Sequence, residues 1–403
     1  MFKSLLHARA AFIFVFITVA LDMLAVGVMI PVLPKLVAQF QGGDLARASA
    51  TVGLFGFAWA LMQFLCQPVL GALSDRFGRR PVILLSNFGL GLDYVLMALS
   101  PNLGFLFAGR IISGVCAASV PTANAYISDI TPPEARAGRF GMLGAAFGVG
   151  FVIGPAIGGP LGALDLRAPF WVAAGLSLVN AAYGYFILPE SLPVERRTTR
   201  FTWRKANFIG GLRLFKTTKP LSILAASMFL YYLAYECLPS VFVLFVDHQY
   251  HWDPSTIGLV LALVGIGASI VSGGLVRPMV KRVGEWPALA TGLICGATCF
   301  TIYALAPTGA WFLAGIPFGA MWGLSGPAEQ ALMSKEVDPA EQGQLQGALG
   351  GLRGITGMVG PVLFTQIFSF SVASGTLPGA TYLLGAALLI ASLAVAWRAR
   401  TAK

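Results

Sequence analysis

Long apolar runs alternate with short polar ones along the whole chain. They fall near 10–33, 50–71, 81–99, 103–125, 139–163 and 168–188, then, after a polar stretch, near 221–246, 256–277, 286–306, 309–333, 343–369 and 377–397. A membrane-crossing helix needs about 20 apolar residues, and each run is close to that length. Lipid offers no partner to open backbone groups, so these runs are predicted to be helices. The chain therefore reads as an all-α membrane protein with 12 transmembrane helices.

The basic residues lie in alternate loops. Lys3 and Arg9 precede the first run. Arg76, Arg79 and Arg80 follow the second, and Arg136 and Arg139 the fourth. Between the halves lie Arg196, Arg197, Arg200, Arg204, Lys205, Arg213, Lys216 and Lys219. Arg277, Lys281, Arg282, Lys335, Arg398, Arg400 and Lys403 continue the series. The other set of loops holds only Lys35, Arg47 and Arg167. The positive-inside rule predicts both termini and the central loop on the cytoplasmic side of the membrane.

Composition agrees, with 57% hydrophobic and 11% charged residues and a mean hydropathy of +0.77. Such a chain cannot cover a water-facing surface. The net charge of +10 is accounted for by these loops, which excludes a nucleic-acid partner. Cys66, Cys116, Cys237, Cys295 and Cys299 lie inside apolar runs and are expected to pack, with no metal-ligand spacing. No cleavage site follows the first run, which reads as a retained span. There is no phosphate loop of the form G-x-x-x-x-G-K-[ST] and no catalytic triad, so neither a cofactor nor an enzyme is expected.

The two halves repeat. Gly141, Gly144, Gly148, Gly154 and Pro155 recur as Gly347, Gly350, Gly354, Gly360 and Pro361, a constant spacing of 206 residues (Gly154 to Gly360). The same spacing joins Pro133 to Pro339, Arg76 to Arg282 and Gly78 to Gly284. The expected organisation is an N-terminal six-helix bundle at 1–189, a cytoplasmic linker at 190–219 and a C-terminal bundle at 220–403. Residues 208–215 are expected to form an interfacial amphipathic turn, and the linker arginines to be solvated or at headgroups.

Charged residues inside spans mark function by default. In the first half these are Asp22, Asp93 and Arg110; in the second, Glu236, Glu329 and Arg353. A carboxylate isolated in low dielectric can bind a proton, which suits Asp22 and Asp93 to proton coupling. Arg353 is expected to pair with Glu329 or Glu236, and Glu329, near the cytoplasmic end, to be wetted. Tyr231, Tyr232, Tyr235, Trp59 and Trp322 offer stacking surface to a flat organic molecule.

Three motifs carry a resemblance. Gly71-Ala-Leu-Ser-Asp75-Arg76-Phe-Gly78-Arg79-Arg80 resembles the loop between helices 2 and 3 of the major facilitator superfamily of secondary transporters. Gly150, Gly154, Pro155, Gly158 and Gly159 match the helix 5 motif of its antiporters. Gly109-Arg110 with Ser113-Gly114 matches the helix 4 motif of its proton antiporters. Leu21-Asp22, Pro31 to Pro34, Leu92-Asp93-Tyr94 and Leu345-Gln346-Gly347 extend the likeness to the proton-coupled tetracycline exporters, over essentially the whole chain.

The resemblance implies the major facilitator fold, two six-helix bundles with pseudo-two-fold symmetry, and export of a hydrophobic or amphipathic small molecule, tetracycline-like drugs foremost, against protons. A proton symporter importing a small metabolite is the alternative. It also implies proton coupling by Asp22, Asp93 and Arg110, and a cytoplasmic latch of Asp75 and Arg76; Gly71, Gly78, Arg79 and Arg80 of the same loop are expected to belong to it, and Asp129 to complete it by pairing with Arg76. The substrate-facing set is expected to be Asp22, Gln63, Asp93, Tyr235, Glu236 and Trp322. The exporters' helix 9 aspartate has no counterpart in 292–298, nor their helix 8 histidine in 265–270. The proton machinery is therefore expected to be kept in the first half and rearranged in the second. The chain is expected to act as a monomer.

Overall fold

The computed structural model describes residues 2–117, 120–198, 213–338 and 341–401, and their regular structure is helical. The first half contains α1 (Phe2–Met29), α2 (Leu33–Phe40), α3 (Leu45–Phe77), α4 (Arg79–Ala98), α5 (Leu103–Cys116), α6 (Val120–Ile130), α7 (Pro133–Leu164) and α8 (Ala168–Ile187). The second contains α9 (Lys219–Tyr235), α10 (Cys237–Tyr250), α11 (Pro254–Ile270), a π-helical turn at Val271–Leu275, α12 (Val276–Val283) and α13 (Glu285–Leu305). It closes with α14 (Gly309–Leu313), α15 (Ile316–Trp322), α16 (Ser325–Ser334), α17 (Gln342–Ala373) and α18 (Ala380–Thr401).

Among the described residues, 10 helical stretches are long and apolar enough to cross a membrane, and Leu103–Cys116 is a shorter apolar helix. The sequence runs differ from this count at two places. The fourth run is divided between α5 and α6 around residues 118–119, which lie outside the described set. The tenth is broken into α14, α15 and α16. Pro317 brings no N–H to the first turn of α15, and Gly323, a poor helix former, sits between α15 and α16.

Helix starts follow local chemistry. The side chains of Asn102, Thr218 and Asp253 accept backbone hydrogen bonds from Phe105, Leu221 and Thr256 and cap α5, α9 and α11. Gly78 and Gly284 precede α4 and α13 with φ of 106° and 86° and bring no side-chain cap. That left-handed backbone favours glycine, so the repeat seen in the sequence recurs as a shared turn.

Two compact units are formed, one of residues 1–36, 58–206 and 253–262, the other of 37–57, 207–252 and 263–403. In the first, α1 packs on α7 and α8, and α4 on α5 and α8. Phe12, Val15 and Val19 meet Tyr126, Ile127 and Leu143 in its core. In the second, α9 packs on α17 and α18, and α13 on α15, α16 and α18. Here Gly53 and Gly56 of α3 lie against Thr365 and Pro361 of α17, and the Ser49 hydroxyl donates to the Thr365 carbonyl at 2.9 Å.

Of the expected interfacial turn at 208–215, residues 208–212 lie outside the described set. Leu214 and Phe215 are buried in the protein, so that end of the segment is not spread on an interface.

Candidate functional site

The first unit holds Asp93 and Arg110 together and Asp22 on a separate helix contact. Asp93 on α4 is 1% exposed, and neither of its carboxylate oxygens has a hydrogen-bond partner. Arg110 on α5 is the cation acting on it, and the Ser113 hydroxyl lies in electrostatic reach without closing a hydrogen bond. The Arg110 guanidinium lies 5.3 Å from the centre of the Trp59 ring, and its Nε is unpartnered. Glycines make this approach possible. A Cβ at Gly109 would stand 2.9 Å from Oδ1 of Asp93 and 2.5 Å from Cγ of Met97, and one at Gly114 would stand 2.6 Å from the Trp59 carbonyl. Asp22 on α1 faces Asn180 of α8, whose side-chain oxygen accepts from the Thr18 hydroxyl at 3.2 Å. One oxygen of Asp22 and the amide nitrogen of Asn180 remain unpaired. Burying such groups without partners costs folding free energy, which makes both places candidates for chemistry.

The antiporter-like glycines on α7 hold the helix that carries Asp22. A Cβ at Gly150 would stand 2.7 Å from both the Ala20 carbonyl and Cβ of Met23, and one at Gly154 would stand 2.7 Å from Cα of Gly27. Gly158 meets the Val28 backbone, and Gly159 lies against Pro254 and Gly258 of α11. Close approach of small residues is how helices pack in membranes, and here it seats α1 immediately on either side of Asp22.

At the α3–α4 corner the charged residues of the motif form a network, though not with the expected partners. Arg79, rather than Arg76, pairs with Asp129, at 3.2 Å. It also bonds Asp75 at 2.5 Å and the Ser74 hydroxyl at 2.7 Å. Its position explains the choice: at the first residue of α4 it reaches both the end of α3 and the end of α6, whereas the Arg76 guanidinium lies over the Phe77 ring. Ser74 in turn donates to the Gly71 carbonyl at 2.7 Å. Arg80 donates to the Tyr185 carbonyl at 2.6 Å.

The motif spacing alone gives no role to one residue of this corner. Glu190, beyond α8, accepts from the backbone N–H groups of Arg79 at 2.8 Å and Arg80 at 3.3 Å, and pairs with Arg197 at 3.7 Å. It supplies the cap that Gly78 lacks, and a Cβ at Gly78 would collide with it. Arg197 is thus engaged within the protein rather than solvated. The signal was present as a lone acid at the end of an apolar run facing a basic loop.

The second unit holds a different set. Glu236 interrupts the seventh span between α9 and α10, where Pro239 has no N–H for the Tyr235 carbonyl. Gly360 makes room for it, since a Cβ there would stand 2.7 Å from Cγ of Glu236. Arg353 lies within electrostatic reach of Glu236 and of Tyr232. Glu329 is 0% exposed and so is not wetted; it lies one helical turn on from Ser325, inside the helix packing. Trp322 is buried against Tyr231 and Tyr235, with ring centres 5.7 Å apart in each pair, and braces the more exposed Tyr235. Gln63 is half-buried on α3. Among the described residues no group of His, Cys, Asp and Glu could hold a metal ion.

Comparison with known proteins identifies the family. The family model of the Major Facilitator Superfamily matches residues 15–361. The chain is 38% identical to the class C tetracycline resistance protein of Escherichia coli, over 96% of each chain. It is 34% identical to the class B protein of Escherichia coli over 87% of each, and 30% identical to multidrug resistance protein 2 of Bacillus subtilis over 73% of each. The fold matches the nucleoside transporter NupG with a TM-score of 0.77 at 15% identity, covering 97% of this chain and 98% of that one. It matches the human organic anion transporter MFSD10 with a TM-score of 0.71 at 24% identity, covering 96% and 99%. The chain is a multi-pass membrane protein of the major facilitator superfamily and belongs within it to the family of the tetracycline resistance proteins.

Proposed function

We propose that the protein is a proton-coupled exporter of hydrophobic or amphipathic drugs, with tetracycline-like compounds as its first substrate class. The observation that carries this reading is the buried acid Asp93 facing Arg110, with a second intramembrane acid, Asp22, in the same unit of a chain of this family. Both carboxylate oxygens of Asp93 and one of Asp22 lack the hydrogen bonds that would hold a purely structural acid. Asp93 facing Arg110 can exchange its partner for a proton, and release of the guanidinium toward Trp59 couples that exchange to the position of α5.

In the proposed cycle, protons enter from outside and reach Asp22 and Asp93. The halves 1–189 and 220–403, joined by the linker 190–219, then rock about a site near the midplane. On the cytoplasmic side the protons leave and substrate enters, facing Asp22, Gln63, Asp93, Tyr235, Glu236 and Trp322. Each inward proton contributes about 2.3 kcal/mol per 100 mV, so no cofactor is required. Gly71, Asp75, Arg76, Gly78, Arg79, Arg80 and Asp129 form the cytoplasmic latch. Both termini are cytoplasmic in a bacterial inner membrane, and the monomer is the working unit.

The test is tetracycline flux in proteoliposomes under an imposed pH gradient. Movement of tetracycline opposite to protons supports the exporter. Movement with protons would establish the symporter instead, and no flux coupled to the gradient would remove both readings.

A further inference from the structure

Glu329 has no part in the mechanism above, yet it is the most enclosed acid of the second unit. It is 0% exposed, and both its carboxylate oxygens lack a hydrogen-bond partner. Ser325 precedes it by four residues and so shares its face of α16, and Trp322 closes α15 on the other side of the break at Gly323. They press on α13, where a Cβ at Gly292 would stand 2.6 Å from the Ser325 nitrogen and one at Gly296 would stand 2.7 Å from the Trp322 ring. From α9 the Ser227 hydroxyl lies beside Glu329, but it is committed to Ser392: the two hydroxyls are 2.9 Å apart, and each also lies within 3.1 Å of the other's carbonyl.

The groups facing Glu329 from its neighbours are therefore Ser227, Tyr231 and Tyr232 of α9. The only formal charge on α13 is Glu285, held by Lys335. Those of α18, which supplies Ser392, are Arg398 and Arg400 in its last turn. Arg353 of α17 acts on Glu236 and Tyr232. A bare carboxylate with no cation against it is costly to enclose, and the neutral acid gains no hydrogen bond here either.

The backbone around it is discontinuous. The α15–α16 break at Gly323 and Leu324 packs through Ala320 and Leu324 on Val271 of the π-helical turn. π-bulges of this kind recur at functional sites. Glu329 stands six residues before Lys335, about 9 Å along the helix axis from the loop that Lys335 opens.

We infer that Glu329 is a second proton-binding site of the transport cycle, located in the second half and emptied toward the loop that carries Lys335. This rests on the exporter reading. The O–H bond forms when the Glu329 carboxylate takes a proton from water in one state of α16, and breaks when that proton passes to water at the Lys335 end. One proton then crosses per cycle in addition to those of the first half.

Tetracycline serves as probe in liposomes loaded with a pH-sensitive dye. Glu329→Gln should keep tetracycline exchange across the membrane but sustain a gradient smaller by about tenfold per pH unit imposed, with one proton fewer per drug. An unchanged proton-to-drug ratio would overturn the inference. Infrared difference spectra across a pH titration need no substrate. The wild type should show a carboxylic C=O band that appears and disappears with pH, absent from Glu329→Gln and shifted in Glu329→Asp. Identical spectra in wild type and both variants would overturn it, as would a band that never titrates. A wild type that does not couple tetracycline to the gradient would defeat the exporter reading alone, since the infrared titration judges Glu329 by itself.

Discussion

Two corners of the molecule, 206 residues apart in sequence, share a backbone and differ in charge. Gly78 before α4 and Gly284 before α13 have the same left-handed turn. In the first corner Arg79 starts α4 and pairs with Asp129 near the end of α6 at 3.2 Å. In the second, Glu285 starts α13 and pairs with Lys335 at the end of α16 at 2.6 Å. These residues are equivalent under the repeat, and their signs are exchanged. The attraction of a pair depends on the product of the charges, so the repeat can keep a tie while reversing it. The helix dipole, however, distinguishes the two. An acid at a helix start and a base at a helix end are favoured, and the second corner has both. The first has neither, and it is there that Glu190, Ser191 and Thr198 are recruited. Glu190 caps α4, the Ser191 hydroxyl donates to Asp129 at 3.1 Å, and the Thr198 N–H donates to the Asp75 carbonyl at 3.0 Å. The sequence of the second corner suffices for its own geometry; the first needs the start of the linker.

The same contrast holds deeper in the spans. Across the repeat, Asp22 and Asp93 correspond to Met228 and Cys299, and Glu329 to Ala123. The scaffold repeats and the chemistry does not. The largest expected effect tests this asymmetry. Asp93→Asn and Asp22→Asn should each lower pH-driven tetracycline flux about 100-fold or more, since each removes a group on which a proton must bind and leave. Met228→Asp should not restore flux to Asp22→Asn, because helix α9 presents Met228 fully buried rather than beside an asparagine. Restoration, measured in the same liposomes, would show the halves to be chemically interchangeable.

The sequence carried the spans, the repeat and the identity of the intramembrane charges, because hydropathy and loop glycines are local signals. It did not carry the partners. Arg76 and Arg79 are equally basic and three residues apart, and only the turn at Gly78 decides which one reaches Asp129. Glu329 looked close to water along the chain, but the packing of α9 and α13 around it is a long-range property. Glu190 was similarly hidden: its role depends on α8 ending beside the start of α4.

Substitution of the two turn glycines separates steric from electrostatic demands. Gly284→Ala carries the cost of its left-handed backbone, about 1–3 kcal/mol, and meets no close neighbour. Gly78→Ala carries the same cost and drives a Cβ into Glu190, so its melting temperature in detergent should fall further. Equal losses at the two positions would mean that the Glu190 cap contributes little. Glu190→Gln keeps the shape but loses the charge on the α4 start, for an expected loss of about 1 kcal/mol in the same melts.

The smallest effect is the most discriminating. Lys335 is 58% exposed, so the Glu285 pair is worth about 0.2–1 kcal/mol, and Glu285→Lys or Lys335→Glu alone should lower stability by about that much. The double exchange should recover part of it, falling short because both charges then oppose their helix ends. At the first corner the reversed pair, Arg79→Asp with Asp129→Arg, would suit both helix ends, yet it should not recover. Arg79 is 11% exposed and also binds Asp75 and Ser74, and an aspartate there would face the Glu190 carboxylate across the α4 start. Double-mutant cycles on melting in detergent read both corners alike. Recovery at the first corner equal to that at the second would show that the linker residues follow the pair rather than compensate for its polarity.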